Sequence, residues 1–206
     1  MRTNRLDNLG RKRMRYDFKD QLQFSKGRRC NTDISTISAI LTGCVSVEPA
    51  PAHLDKQGVD YIATLRRGAT VYVDAKTRAR GCSRYWQTGR PELAIEIWSV
   101  MPGGKYETPY SRAKVGWTLD ESKITDMVMY TWDESDCTVA YLLSFQTLRM
   151  AAANHVATWR RQYKVDIQDS HEWESQAVFV PADVVQDAMR QAQEFEIAGL
   201  LLDVGY

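Results

Sequence analysis

Val59-Asp60-Tyr61-Ile62-Ala63-Thr64-Leu65, then Arg66-Arg67-Gly68-Ala69, then Thr70-Val71-Tyr72-Val73-Asp74-Ala75-Lys76 is the stretch that decides the fold. Both flanks are rich in β-branched and aromatic residues, and the tetrapeptide between them reads as a turn, so the pattern predicts a hairpin. Side chains alternate along a strand: Val71, Val73 and Ala75 share one face, and Tyr72, Asp74 and Lys76 the other. Asp60 starts the first strand, and folding back through the turn carries it toward Asp74. Two carboxylates and an ammonium thus converge at one end of a sheet. Close carboxylates repel, more so when buried, and a divalent cation is the usual resolution. A small set of hard oxygen ligands completed by water suits Mg²⁺ or Mn²⁺. Such an ion lowers the pKa of a bound water and stabilises charge on a phosphoryl oxygen. Lys76 beside it would orient or deprotonate the attacking water, or stabilise the developing charge, which is what phosphodiester hydrolysis needs. The plain alternative makes Asp60 a strand-edge or turn residue and Asp74–Lys76 an exposed ion pair.

Outward from the hairpin, Asn31-Thr32-Asp33 is an N-cap cluster for a helix carrying Ile34, Ile37, Ile40 and Leu41, which Gly43 would end. Val47–Ala52 holds Pro49 and Pro51 and reads as a connector. A further helical stretch is expected over Tyr16–Lys26. Downstream, Leu93–Ser99, Thr125–Trp132, Thr138–Ser144 and Trp173–Val180 read as strands, Phe145–Arg161 as a helix, and Pro181-Ala182-Asp183 as the start of a long last helix. Residues 77–91 and 100–122 are long polar loops, a kind that is usually functional or mobile. One α/β domain over 16–206, preceded by a basic arm over 1–15, is the economical organisation.

At 206 residues and 44% hydrophobic content the chain can bury a substantial core, and no apolar run reaches the ~18 residues of a membrane span. The charged N-terminus has no apolar stretch behind it, so no secretory signal is expected. Cys30, Cys44, Cys82 and Cys137 are far apart and form no ligand spacing with His53, His155 or His171, which argues against a zinc finger or a disulfide framework. An intracellular protein without membrane partners is the expectation. The formal net charge of +1 hides a split: residues 1–90 carry 18 Lys+Arg and 8 Asp+Glu (18 − 8 = +10), and residues 91–206 carry 9 and 18 (9 − 18 = −9). Either one side of the fold is basic enough to attract phosphate, or the halves neutralise each other.

Several residues extend the candidate site. Glu96 interrupts an apolar strand, where an unpaired carboxylate would be costly. It would pair with Lys76 or an Arg, join the metal site, or face outward. Arg66, Arg67, Arg78, Arg80 and Arg84 surround the hairpin. Lys105, Arg112 and Lys114 alternate with Tyr106, Tyr110 and Trp117, a mixture that suits a nucleic-acid strand, although a lid without ligands is the alternative. Lys123 and Asp126 read as secondary site residues or as turn and cap. His155 reads as a core histidine, and the acidic stretch Asp166–Asp203 as a solvated face.

Asp60 at the start of one strand and Asp74-Ala75-Lys76 at the end of the next resemble the PD-(D/E)xK nuclease superfamily. Glu92–Ser99 and Gly116-Trp117-Thr118 through Asp126 resemble segments of small phage-type members. The resemblance covers roughly residues 16–160. It implies a restriction-endonuclease-like core, with a mixed central sheet flanked by helices: a helix, a three-stranded antiparallel unit, a helix and a further strand. It also implies a Mg²⁺- or Mn²⁺-dependent deoxyribonuclease acting on DNA ends, junctions or single strands. Asp60 and Asp74 would bind metal with the Ala75 carbonyl, and Lys76 would be the catalytic lysine. Val59 stands where a Pro is usual. No Glu precedes Glu48, so the acid of the first helix would fall to Asp17 or Asp20, or to Gln21 or Gln23, with Asp20 taken as the ligand. A homodimer would favour paired incisions, and a monomer nicking or end processing. Two rivals differ in class: a non-catalytic nucleic-acid-binding module of the same fold, and a protein-interaction factor such as an inhibitor.

Overall fold

The predicted hairpin is the middle of a sheet. The computed structural model describes residues 30–78, 90–104, 112–133, 138–169 and 173–203. Strands β1 (Cys44–Pro49), β2 (Tyr61–Leu65) and β3 (Thr70–Arg78) form an antiparallel meander. β4 (Glu92–Val100) and β5 (Lys114–Val115) follow, then β6 (Met127–Asp133), which lies parallel to β3, and β7 (Thr138–Ser144), antiparallel to β6. The five-stranded order is therefore β1-β2-β3-β6-β7, a mixed sheet. A second sheet of four strands, β5-β4-β9-β8, is antiparallel throughout, with β8 at Lys164–Asp169 and β9 at Glu174–Pro181. Helices are α1 (Cys30–Ile40), the short α2 (Ala52–Asp55), α3 (Phe145–Gln162) and α4 (Ala182–Asp203). Among the described residues no helix is long and apolar enough to cross a membrane.

The alternation read from the sequence sorts β3 between two cores. Val73 joins Ile37 of α1, Ala63 and Met129 in a small cluster on one face. On the other face, Asp74 and Lys76 stand beside Val128 and Tyr130 of β6. Val128, Tyr130 and Trp132 belong to the larger core, with Leu93 and Ile95 of β4, Leu148 of α3 and Val185 of α4. The sheets are stitched together where the Tyr130 hydroxyl donates to the Ala94 carbonyl at 2.8 Å. Thr147 N–H donates to the Ser144 side chain, which caps α3.

Several expectations are corrected. Val47–Ala52 is no connector: β1 runs to Pro49, because an edge strand tolerates proline at its end, and α2 starts at Ala52. Asp33 does not cap α1, which already begins at Cys30; its buried carboxylate accepts from the Tyr61 hydroxyl at 2.9 Å. The acidic stretch from Asp166 is not merely a solvated face. It contains β8, β9 and α4, with Val178, Val180, Val185 and Ala188 fully or nearly buried. The described part of the β3–β6 crossover holds strands rather than the expected helix. The basic arm and the helix expected over Tyr16–Lys26 lie outside the described residues.

Candidate active site

Asp60 sits in the bend before β2, held by its own amide, which donates to the Val73 carbonyl at 2.9 Å. Its carboxylate accepts from the Ala75 amide at 2.8 Å, so the Asp60 side chain lies across the end of β3. Tyr61 pairs with Val73, so the antiparallel register sets Asp60 across from Asp74. Lys76 Nζ completes the cluster at 2.8 Å from Asp74 Oδ1. The hairpin thus brings Asp60, Asp74 and Lys76 together as its alternation predicts. Asp74 is almost entirely buried, its side chain 5% exposed, whereas that of Lys76 is 34% exposed. The exposed ion pair of the plain alternative is therefore ruled out on the Asp74 side.

Burial pushes the Asp60 carboxyl up to about 6, helped by the neighbouring Asp74 charge; Lys76 and the Ala75 amide oppose this only in part. For Lys76, burial alone would push the ammonium down. Asp74, then Asp60, and finally Glu96 outweigh it, and the net direction is up. Lys76 is accordingly a cation at neutral pH.

Glu96 is the fourth member, brought in by the second sheet. Glu96 and Lys76 line the same cleft between the sheets, and the Glu96 charge favours the Lys76 ammonium. The Glu96 carboxylate accepts from the Trp117 amide at 2.9 Å, and the Glu96 amide donates to the Thr118 hydroxyl at 3.1 Å. Gly116 N–H donates to the Ile97 carbonyl at 2.8 Å. A Cβ on Gly116 would lie 2.2 Å from the Glu96 carbonyl oxygen, so only glycine permits this approach. Gly116-Trp117-Thr118 is in effect a clip on Glu96 and Ile97. β4 is irregular there, its pairing with β9 shifting between Glu96 and Trp98, as bulges beside sites commonly do. The clip sets the Trp117 ring 4.6 Å from Lys76 Nζ, a cation–π contact, with Phe145 stacked on the same ring system at 5.4 Å.

The basic residues are divided. Arg66 and Arg67 occupy the β2–β3 turn, at the end of the hairpin opposite Asp60, so several residues of strand at ~3.3 Å each separate them from Lys76. They stand apart from the carboxylate cluster. Lys114 is exposed on β5, next to the clip, and Arg112 is exposed just before it. Arg78 ends β3 opposite Trp132. Arg80, Arg84, Lys105 and Asp20 lie outside the described residues, as do Asp17, Gln21 and Gln23. Lys123 and Asp126 serve the scaffold: Lys123 donates to the Lys56 carbonyl, and Asp126 accepts from the Tyr72 amide at 2.8 Å, fastening the start of β6 to β3. His155 is half-buried and stacked on Trp159.

Sequence reasoning missed Tyr130, Gln168 and Ser175, which line the cleft from β6, β8 and β9. Nothing local marks them, since only sheet packing brings them to Lys76. Trp117 appeared there as a base-stacking aromatic, but its ring is already engaged by Lys76 and Phe145. Neither family models, nor curated proteins, nor solved structures gave a match to this chain.

Proposed function

We propose that this chain is a metal-dependent nuclease of restriction-endonuclease-like fold that hydrolyses DNA phosphodiesters. The observation that carries the reading is the buried Asp74 carboxylate 2.8 Å from the Lys76 ammonium, with the Asp60 carboxylate set across from it on the paired strand. The sheet order, with an antiparallel meander followed by a fourth strand parallel to the third, supports the fold assignment.

The donor set suits Mg²⁺ or Mn²⁺. Two carboxylates beside a single ammonium form a site short of positive charge. Among the described residues no group of three His, Cys, Asp or Glu side chains gathers to hold a metal. Asp60 and Asp74, with the Ala75 carbonyl and water, are the available ligands, and Mg²⁺ characteristically keeps several waters. Bound there, the ion would supply Lewis-acid stabilisation and an activated water. Lys76, kept protonated by its carboxylate neighbours, donates hydrogen bonds to the attacking water or to a phosphoryl oxygen and is no base. Glu96 and Trp117 fix where that ammonium stands.

Purified protein is incubated with linear duplex, circular single-stranded and four-way-junction DNA in Mg²⁺, Mn²⁺, Ca²⁺ or EDTA. Cleavage is expected only with Mg²⁺ or Mn²⁺, and Asp74→Ala and Lys76→Ala are expected to lower it by about 10²–10⁴-fold. Undiminished cleavage by both variants would sink the assignment. DNA binding without cleavage would instead favour a non-catalytic binding module, and neither would favour a protein partner.

A further inference from the structure

We propose that the cleft beside Lys76 is a subsite for one unpaired nucleobase, so that the DNA is single-stranded or frayed where it is attacked; this rests on the nuclease reading above. Lys76 belongs both to the carboxylate cluster and to the cleft wall. Whatever fills the cleft is therefore the immediate neighbour of the group at Asp60 and Asp74. The cleft measures about 270 Å³. That is slightly below the ~300–1,000 Å³ of pockets for drug-sized ligands, and it suits one flat heterocycle rather than a base pair.

Its walls say which part of a nucleotide it takes. Ala94 and Ala177 of the second sheet leave room along one wall of the slot, and the Tyr130 side of the first sheet stands across from them. Around the slot stand Gln168, Ser175 and Glu96. An amide and a hydroxyl each donate and accept, and a carboxylate accepts, so together they match the mixed polar edge of a base. A second phosphate is disfavoured, because Lys76 is the one cation among the described cleft-lining residues and Glu96 would repel an anion. Trp117 is engaged by Lys76 and Phe145, so the base is gripped by its edge and by small walls, as in pockets that take a base out of its stack. A paired base hides that edge in its partner and cannot enter without unpairing.

The test uses the full chain in Ca²⁺, with a short fluorescent single strand and its blunt duplex, and compares wild type with Ser175→Leu and Gln168→Ala. The wild type is expected to bind the single strand at least about tenfold tighter than the duplex. Ser175→Leu, which fills the slot, should lose about tenfold on the single strand and nothing on the duplex. Gln168 is exposed on an edge strand, so Gln168→Ala gives a second reading, a loss of about threefold or more, should the leucine variant fail to fold. Equal affinity for both DNAs, or wild-type binding by both variants, would overturn the subsite. Cleavage rates separate the two proposals. A wild type that prefers single strands but cleaves nothing in Mg²⁺ or Mn²⁺ overturns the nuclease and leaves the subsite standing. One that cleaves both DNAs at equal rates, with Ser175→Leu no slower, overturns the subsite and leaves the nuclease.

Discussion

Val73 and Asp74 are adjacent in the chain and almost equally buried, at 0% and 4% exposure, yet they face opposite sides of one strand. Val73 closes an apolar cluster against α1. Asp74 spends its burial on Lys76 and Asp60. The first face stabilises the fold, whereas the second holds a group that would rather be in water, compensated by partners that are themselves incompletely solvated. Burial alone therefore does not distinguish core from site; what the buried atom touches does.

The hardest way to break this comparison is to put charge on the apolar face. Val73→Asp has no cation to meet among Ile37, Ala63 and Met129, and it should cost several kcal/mol, on the order of 4 or more, leaving the chain unfolded at room temperature by circular dichroism. Retention of a native melt would show that this face is not closed.

Asp60→Asn acts in the opposite direction. The Asp60 pKa is raised in the folded state, from the ordinary 3.8 to about 6. Below pH ~4 both states carry the proton and the site costs nothing. Stability is then lost as the pH rises from about 4 to about 6, and the deficit persists at pH 7. Asparagine should therefore stabilise the protein at pH 7 by up to about 3 kcal/mol while abolishing cleavage, with no stabilisation at pH 3. Melts across pH would check the sign. Added Mg²⁺ should raise the wild-type melting temperature above pH 6 and leave that of the variant nearly unchanged.

How much of this was legible is itself uneven. Asp60, Asp74 and Lys76 were legible because a hairpin and a period of two are local facts, and Thr138–Ser144 was read with its observed bounds. The same hairpin geometry that joins Asp60 to Asp74 sends Arg66 and Arg67 to the far end. Counting basic residues by sequence proximity ignored strand direction. Strand β8 was missed because it offers only Val165 and Ile167 as apolar residues among Lys164, Asp166, Gln168 and Asp169, a polarity that an edge strand tolerates. The cleft was invisible in principle: its walls come from β3, β4, β6, β8 and β9, and the pairing of Glu96 with Ala177 depends on contacts more than 80 residues apart.

Smaller effects sharpen the contrast. Gly116→Ala should cost about 1–3 kcal/mol by forcing the clip off Glu96, and it should lower cleavage more than a core change of equal stability cost, because the Trp117 ring leaves Lys76. Equal losses for equal destabilisation would deny the clip a positioning role. Smallest, Tyr61→Phe removes the hydroxyl that Asp33 accepts from on the apolar side and should cost about 1 kcal/mol with cleavage per folded molecule unchanged.

The pairing of β4 with β9 has a consequence in time. A ribosome that has made the meander and β6 has already supplied both carboxylates and the lysine. The opposite wall of the cleft must still wait for residues 174–181, roughly a hundred positions after Asp74. Pairings so distant in the chain form slowly. The carboxylate–lysine cluster is therefore laid down well before the strand that closes the opposite wall of the cleft.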